Sequence, residues 1–363
     1  MSIRIHNEFD SFIPNRLSTL RHANKLSLDE IALKLEISKQ SIHLFETGQR
    51  EPSKSHIEQL SILFGVKTDF FYKTKQLSDI PLEKVHFRKL KSTPISLKKT
   101  TVSKLELINF IIENLENYLN LPKINIPYIV NEHIENIALQ AREHWKLGLG
   151  PISNVTLLAE SNGAFVLEMT DIDTKVDALS VFKDNQRPLI LRNTSKESPC
   201  RNRFDIVHEI GHLIMHRFIE TGDNLTESEA NSFSAAFLLP KEIMLTDFSR
   251  YIFRRSQINW EFLSEFKLEW KVSKAAILYR AHKLNIISDA QYKSAVISLK
   301  RKGEAITEKE DYLIQQEKPM LISQCIDLLT PDLLNQLLND ISMNKSAFYE
   351  LINKDYNHVI QFK

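Results

Sequence analysis

The chain has 363 residues, with 47 Lys and Arg against 46 Asp and Glu, 12 His and two Cys. Its length suggests two or three domains; an apolar share of 42% and a charged share of 26% exclude a globally disordered chain, and eight Gly and 12 Pro exclude a collagen-like or low-complexity one. No apolar run approaches the ~18 residues of a membrane span, the N-terminal stretch lacks the core of a secretory signal, and two Cys cannot build a disulfide framework, so a cytoplasmic protein with no membrane partner is expected.

The near-neutral total hides an asymmetry. Residues 1–100 carry 17 Lys/Arg against 11 Asp/Glu, and residues 101–363 carry 30 against 35. A basic front end on an acidic body points to an anionic partner for the front end, nucleic acid first among them.

Residues 10–72 show short helical periods through Leu17, Leu20, Ile31, Leu35, Ile57, Leu60 and Phe64. Within them, residues 26–53 have the layout of a helix-turn-helix. Ser27 is placed to cap a first helix, with Asp29 and Glu30 in the turn where negative charge suits the dipole. Ser38 is placed to cap a second helix over 39–46, with Ala32 at the close crossing and Ile37, Ile42 and Phe45 beneath. Lys39, Gln40, Ser41 and His43 then face outward, as a recognition helix presents its N-terminal residues to base edges, and Gln can pair bidentately with adenine. The stretch resembles the lambda-repressor-like, XRE-type helix-turn-helix, including the trailing Glu46, Gly48, Arg50 and Pro52. Leu28 stands where that family often has Gln, and Glu36 where Gly is common. The resemblance implies duplex DNA as partner, and a second copy of the chain is a further candidate.

Residues 73–100 read as a basic linker, with Lys73, Lys75, Lys84, Arg88, Lys89, Lys91, Lys98 and Lys99 and two prolines. Helical spacing resumes over 101–121 and again at about 130–146. Only residues 155–193 read as β, with short apolar runs at 165–167, 179–182 and 189–191 between polar turns at 171–174 and 184–185. Helical spacing returns from 201 onward, and 263–286 has a second helix-turn-helix look with Ser273 as its cap. Cys200 reads as an idle, reduced thiol.

The strongest signal is His208-Glu209-Ile210-Gly211-His212. Residues i and i+4 share a helix face, so both imidazoles can reach one cation, and Glu209 can take a proton from a water held there. Zinc is the cofactor this spacing suggests. A third ligand is needed. Phe218 occupies the place of a metzincin's third His, and His216 lies about 12 Å along a continuous helix from His208. Glu227 and Glu229 remain. Thr226 and Glu229 have capping-box spacing, which favours Glu227 as ligand over Glu229, with Asn231 one turn on to orient a ligating His.

This stretch resembles the ImmA/IrrE family of metallo-endopeptidases. The matching residues are Arg203-Phe204-Asp205, the HEIGH motif, and Glu227, Ala230, Asn231, Phe233, Ala235, Leu238, Leu239 and Pro240, with Gly150-Pro151-Ile152 and Asp177-Ala178-Leu179-Ser180 upstream. Together with the front module, the resemblance covers about 10–300 and has the domain order of XRE–ImmA/IrrE fusions. It implies a zinc-dependent peptidase acting on a regulatory protein, with Glu209 as general base; Tyr251, Tyr279, Arg280 and His282 are residues that could serve as oxyanion partner, and the sequence does not choose among them. A non-cleaving, zinc-containing DNA-binding sensor or antitoxin-like regulator is the rival reading.

The expected fold is α+β and mostly helical. A five-helix DNA-binding module at 1–75 precedes a linker with helices at 76–150. A zincin-like, gluzincin-type core with a small β-sheet follows at 151–300, then a helical extension at 301–363.

Overall fold

A computed structural model describes residues 11–72, 77, 79–81, 94–169, 178–182, 186–193, 198–219, 221–254 and 257–353. Most of the expected linker lies outside these residues, as do both polar turns of the β region. The chain forms two compact units. One comprises Met1–Leu82, Ser92–Leu121 and Ile322–Lys363, the other Glu83–Lys91 and Pro122–Leu321. The second unit is thus inserted in the sequence of the first.

The first unit opens with α1 (Pro14–Ala23), α2 (Leu28–Lys34), α3 (Lys39–Glu46) and α4 (Lys54–Phe64), followed by a 3-10 turn at Thr68–Phe71. Four α-helices and that turn stand where five helices are expected. Ser27 and Glu30 close a full capping box, and Ser38 accepts from the Ser41 N–H, so both helix starts form where the sequence places them. Ile31, Ile42 and Phe45 are buried, whereas Ile37 is only half-buried. Arg21 grips the Glu46 carboxylate with two nitrogens at 2.6 and 2.8 Å, fixing α1 against the end of α3.

The long α5 (Ile95–Leu115) packs along α1. The end of the chain also belongs to this unit. After α15 (Pro331–Asp340), the turn before α16 (Lys345–Leu351) docks on the end of α4: the Lys67 N–H donates to Ser342 O and the Asn344 N–H to Gly65 O, both at 2.8 Å. Gly65 is left-handed, with φ +64°, and a Cβ there would lie 2.8 Å from Ala347 Cβ. From Ile322 on, the extension expected as a separate part therefore belongs to the helix-turn-helix unit, seated by main-chain hydrogen bonds and a close backbone approach, whereas residues 301–321 belong to the other unit.

The second unit begins with α6 (Ile134–His144) and α7 (Val155–Ser161), starting well before the expected boundary at 151. Three strands follow where the apolar runs lie: β1 (Phe165–Met169), β2 (Ala178–Val181) and β3 (Leu189–Asn193). Their order is β1-β3-β2, with β1 parallel and β2 antiparallel to β3, so β2 is an edge. Then come α8 (Pro199–Met215) and α9 (Asn224–Leu238), the short α10 (Lys241–Ile243) running into a π-helical stretch (Met244–Ile252), a two-stranded ribbon (β4, Phe253–Arg254; β5, Gln257–Ile258), α11 (Trp260–Trp270), α12 (Lys274–Lys283) and α13 (Asp289–Arg301). Ser273 caps α12 by accepting from the Ala276 N–H, as expected. A strap then leads to α14 (Leu321–Leu328).

The strap is held by buried charge. Lys267 meets Glu308 at 2.7 Å and Asp311 at 2.6 Å, and Lys274 meets Glu310 at 2.8 Å. Glu317 pairs with Arg203 of α8 and accepts from the Val155 and Thr156 N–H groups. Arg203 also donates to Ile152 O at 2.7 Å, which joins two of the motif segments in space. These buried ions are paired on several sides, as low-dielectric burial requires, and the Arg203–Glu317 pair ties the start of α8 to the strap.

Candidate metal centre

α8 and α9 pack face to face, and Gly211 sets how closely. A Cβ at this position would lie 2.9 Å from a Phe233 ring carbon, so only Gly permits the approach. The loss of helix propensity, about 1 kcal/mol relative to Ala, is accepted at the point where the helices touch. This contact brings residues of the two helices to one spot. His208 Nε2 and His212 Nε2 are 3.1 Å apart, and Glu227 reaches them with Oε2 and Oε1 at 3.4 Å each. Ligand atoms from all three lie within 4.8 Å of one another.

These spacings fit a cation. Metal–ligand bonds of ~2.0–2.1 Å in a tetrahedron place neighbouring ligand atoms ~3.3 Å apart. The outward nitrogens point the same way. His208 Nδ1 lies 3.1 Å from Asn231 Oδ1, and His212 Nδ1 lies 2.9 Å from His216 Nδ1. A proton on each Nδ1 would leave both Nε2 lone pairs facing the Glu227 carboxylate. Glu227 Oε1 is buried without a hydrogen-bond partner. Burial pushes the His212 imidazolium down to about 4, against the opposing pull of Glu227. Burial pushes the Glu227 carboxyl up, but the two imidazoles outweigh it and hold Glu227 at about 2. At neutral pH His212 is thus a neutral imidazole and Glu227 a carboxylate, the states a metal needs of them.

Glu209 is 1% exposed and follows the first imidazole on α8. The Ser180 hydroxyl of β2 donates to Glu209 Oε2 at 2.6 Å. Sequence reasoning missed this partner, although Ser180 ends a segment already singled out.

The carboxylate assignment separates Glu227 from Glu229, for a different reason from the one expected. α9 is capped not by Thr226 but by Asp223, whose carboxylate accepts from the Thr226 N–H at 2.8 Å, so no Thr226–Glu229 capping box exists. Glu229 instead meets His216 Nε2 at 2.9 Å. The helix start lies earlier because Asp223 is an equally good cap three residues upstream of Thr226.

Among the candidate oxyanion partners, Arg280 is engaged by Glu135 and Leu239 O, and His282 by Asp289 and the Tyr292 ring. Tyr251 and Tyr279 are partly exposed, and Tyr279 lines an apolar cleft of about 260 Å³ with Phe204, Asn231 and Ala235. Cys200 is buried, and burial pushes its thiol up to about 12, which suits an idle residue.

On α3, Lys39, Gln40 and His43 are exposed as expected. Ser41 is half-buried and its hydroxyl meets Ser38 Oγ at 2.9 Å, which ties it to the cap as well as the surface. Lys39 also reaches Asp29 at 2.7 Å.

The fold and site define a helix-turn-helix unit joined to a zincin-like helix pair. The family description "IrrE N-terminal-like domain" matches residues 159–282, and "Helix-turn-helix" matches residues 17–71. No curated protein matches the chain significantly. The chain is thus an XRE-type helix-turn-helix fused to an IrrE/ImmA-like domain, a DNA-binding regulator with a peptidase-family domain. No helix among the described residues is long and apolar enough to cross a membrane.

Proposed function

We propose that the protein is a DNA-binding regulator whose second unit is a zinc-dependent endopeptidase acting on a regulatory protein. His208, His212 and Glu227 hold the metal, Asn231 orients His208, and Glu209 is the general base. The observation that carries this reading is the convergence of two imidazole nitrogens and a carboxylate, 3.1 to 3.4 Å apart, with a buried carboxylate on the residue after the first imidazole.

A bound zinc lowers the pKa of its water toward ~7 and polarises the scissile carbonyl. Glu209 takes the proton of the attacking water and passes it to the leaving amine. Ser180 holds one Glu209 oxygen, so the carboxylate keeps its direction through both transfers. β2, at the sheet edge and packed against α8, offers an extended peptide a strand to pair with, main chain to main chain. In the first unit, Lys39, Gln40, Ser41 and His43 meet the major groove.

The test uses zinc-loaded full-length protein, incubated with regulators encoded beside it and read by mass spectrometry. Glu209→Gln keeps shape and removes basicity. It should keep its zinc and lose cleavage by ~10²–10⁴-fold, the usual contribution of a general base. A Glu209→Gln protein that regulates normally in cells while Gln40→Ala does not would establish the non-cleaving sensor instead.

A further inference from the structure

We propose that His216 and Glu229 form a directed hydrogen-bond relay that fixes the ring and tautomer of His212 for the metal. The proposal rests on the metal reading above and adds two positioning residues to it.

The direction of the relay follows from proton counting. A neutral imidazole has one N–H and one bare nitrogen. His212 Nε2 faces His208 and Glu227, so a ligating His212 carries its proton on Nδ1. That nitrogen lies 2.9 Å from His216 Nδ1, which must then be the bare acceptor. His216 in turn carries its proton on Nε2, and Glu229 Oε2 lies 2.9 Å from it. Each proton has one place, and the chain ends on a carboxylate.

The geometry is built, not incidental. His216 caps the C-terminus of α8, and its N–H donates to His212 O at 2.8 Å, so the main chain already ties the two residues. The His216 ring is 3% exposed, and the Glu229 side chain, 35% exposed, closes the relay at the surface. Glu229 is also not spent on the helix start, because Asp223 caps α9. The two imidazoles of the cluster are thus supported differently. His208 ends on the neutral amide of Asn231, while His212 reaches a carboxylate through a second ring. An acceptor behind a ligating imidazole fixes its tautomer and orientation.

The experiment is zinc binding by the full chain, measured by chelator competition, for the wild type, His216→Phe, Glu229→Ala, Glu229→Gln and His208→Ala. Losing such support typically weakens metal binding ~10–100-fold, so His216→Phe and Glu229→Ala should fall in that range. Glu229→Gln retains a carbonyl oxygen that accepts from His216 Nε2–H and should stay near wild type. Nitrogen-15 histidine spectra of the zinc-loaded protein should show His212 protonated on Nδ1 and His216 on Nε2. Glu229 is partly exposed, so its variants keep the test valid if His216→Phe misfolds. Wild-type zinc affinity in Glu229→Ala, with affinity lost in His208→Ala, would overturn the relay and leave the metal site standing. Unchanged affinity in His208→Ala would overturn the metal reading itself.

Discussion

Helices α3 and α8 both carry polar side chains at helical spacing, yet their surroundings are opposite. On α3, Lys39, Gln40 and His43 project into solvent. On α8, His208, Glu209 and His212 are each 1% exposed, and every one has a polar side chain against it. On α3 the side chains lie at the surface, held at most by other exposed groups, as Lys39 is by Asp29. The metal cluster is preorganised by Ser180, Asn231 and His216, which aim each group before any ligand binds. A related contrast lies inside the first unit. The α2–α3 and α15–α16 turns share one backbone form, with positive φ at Glu36 and Ser342 and the same three main-chain hydrogen bonds. One turn leads into an exposed recognition helix; the other is seated on Gly65. The turn alone does not make a reading head; what covers its second helix decides.

The sharpest way to break the comparison is to remove a buried group. His208→Ala should abolish stoichiometric zinc, about one ion per chain in the wild type, as measured by metal analysis of the purified protein. Equal zinc in the wild type and in the His208→Ala/His212→Ala double variant would mean that α8 is no more a metal site than α3. The buried cluster should also show in the pH dependence of the metal-free protein. Folded His212 sits at about 4, and an unfolded histidine near ~6.5. Between these values the unfolded chain binds the extra proton, so stability is full above ~6.5 and falls as the pH drops toward about 4. Urea midpoints across that window should decline for the wild type, and less steeply for His212→Phe.

Exposed groups should act on binding and leave stability alone. Gln40→Ala should lower discrimination for the operator by ~1–3 kcal/mol, the worth of a bidentate base contact, while nonspecific binding keeps its salt dependence. Gel-shift titrations against specific and scrambled duplexes measure the difference. An equal loss on both would place Gln40 on the phosphates. The measurement calls for the full chain, because α5, α15 and α16 complete the unit that carries α3.

Much of this was legible in the sequence, and the gaps have physical causes. Caps are local, so Ser27, Ser38 and Ser273 announced their helices. The HEIGH spacing put two imidazoles together because helix periodicity alone places them on one face. Elimination points to Glu227, but the expected Thr226 cap is supplied by Asp223, since several good capping residues lie within one turn. The Ser180–Glu209 contact joins positions 29 apart, and the seating of Met343 against Val66 joins positions hundreds apart. No local period encodes such pairings. His216 was visible as the third imidazole of an i+4 series, and its role emerged only with the side chain that receives its proton.

The smallest expected effect sharpens the comparison from the exposed side. Ser27 accepts from the Glu30 N–H, and Glu30 returns a 2.7 Å bond to the Ser27 N–H, so this box satisfies two main-chain donors at the start of α2. The Ser27 N–H bond first, and the Ser27 hydroxyl next, hold the Glu30 carboxyl below its ordinary value. Ser27→Ala leaves the N–H to Glu30 but strips the other half of the box, and should lower stability by about 1 kcal/mol. Neither zinc content nor the Gln40-dependent operator preference should move, because the cap touches neither the metal cluster nor the exposed face of α3. Denaturant melts read with metal analysis and gel shifts on the same preparation separate these effects. A loss of operator preference beyond the loss of folded protein would show that the angle between α2 and α3 depends on the cap, and that the exposed face is more preorganised than its exposure suggests.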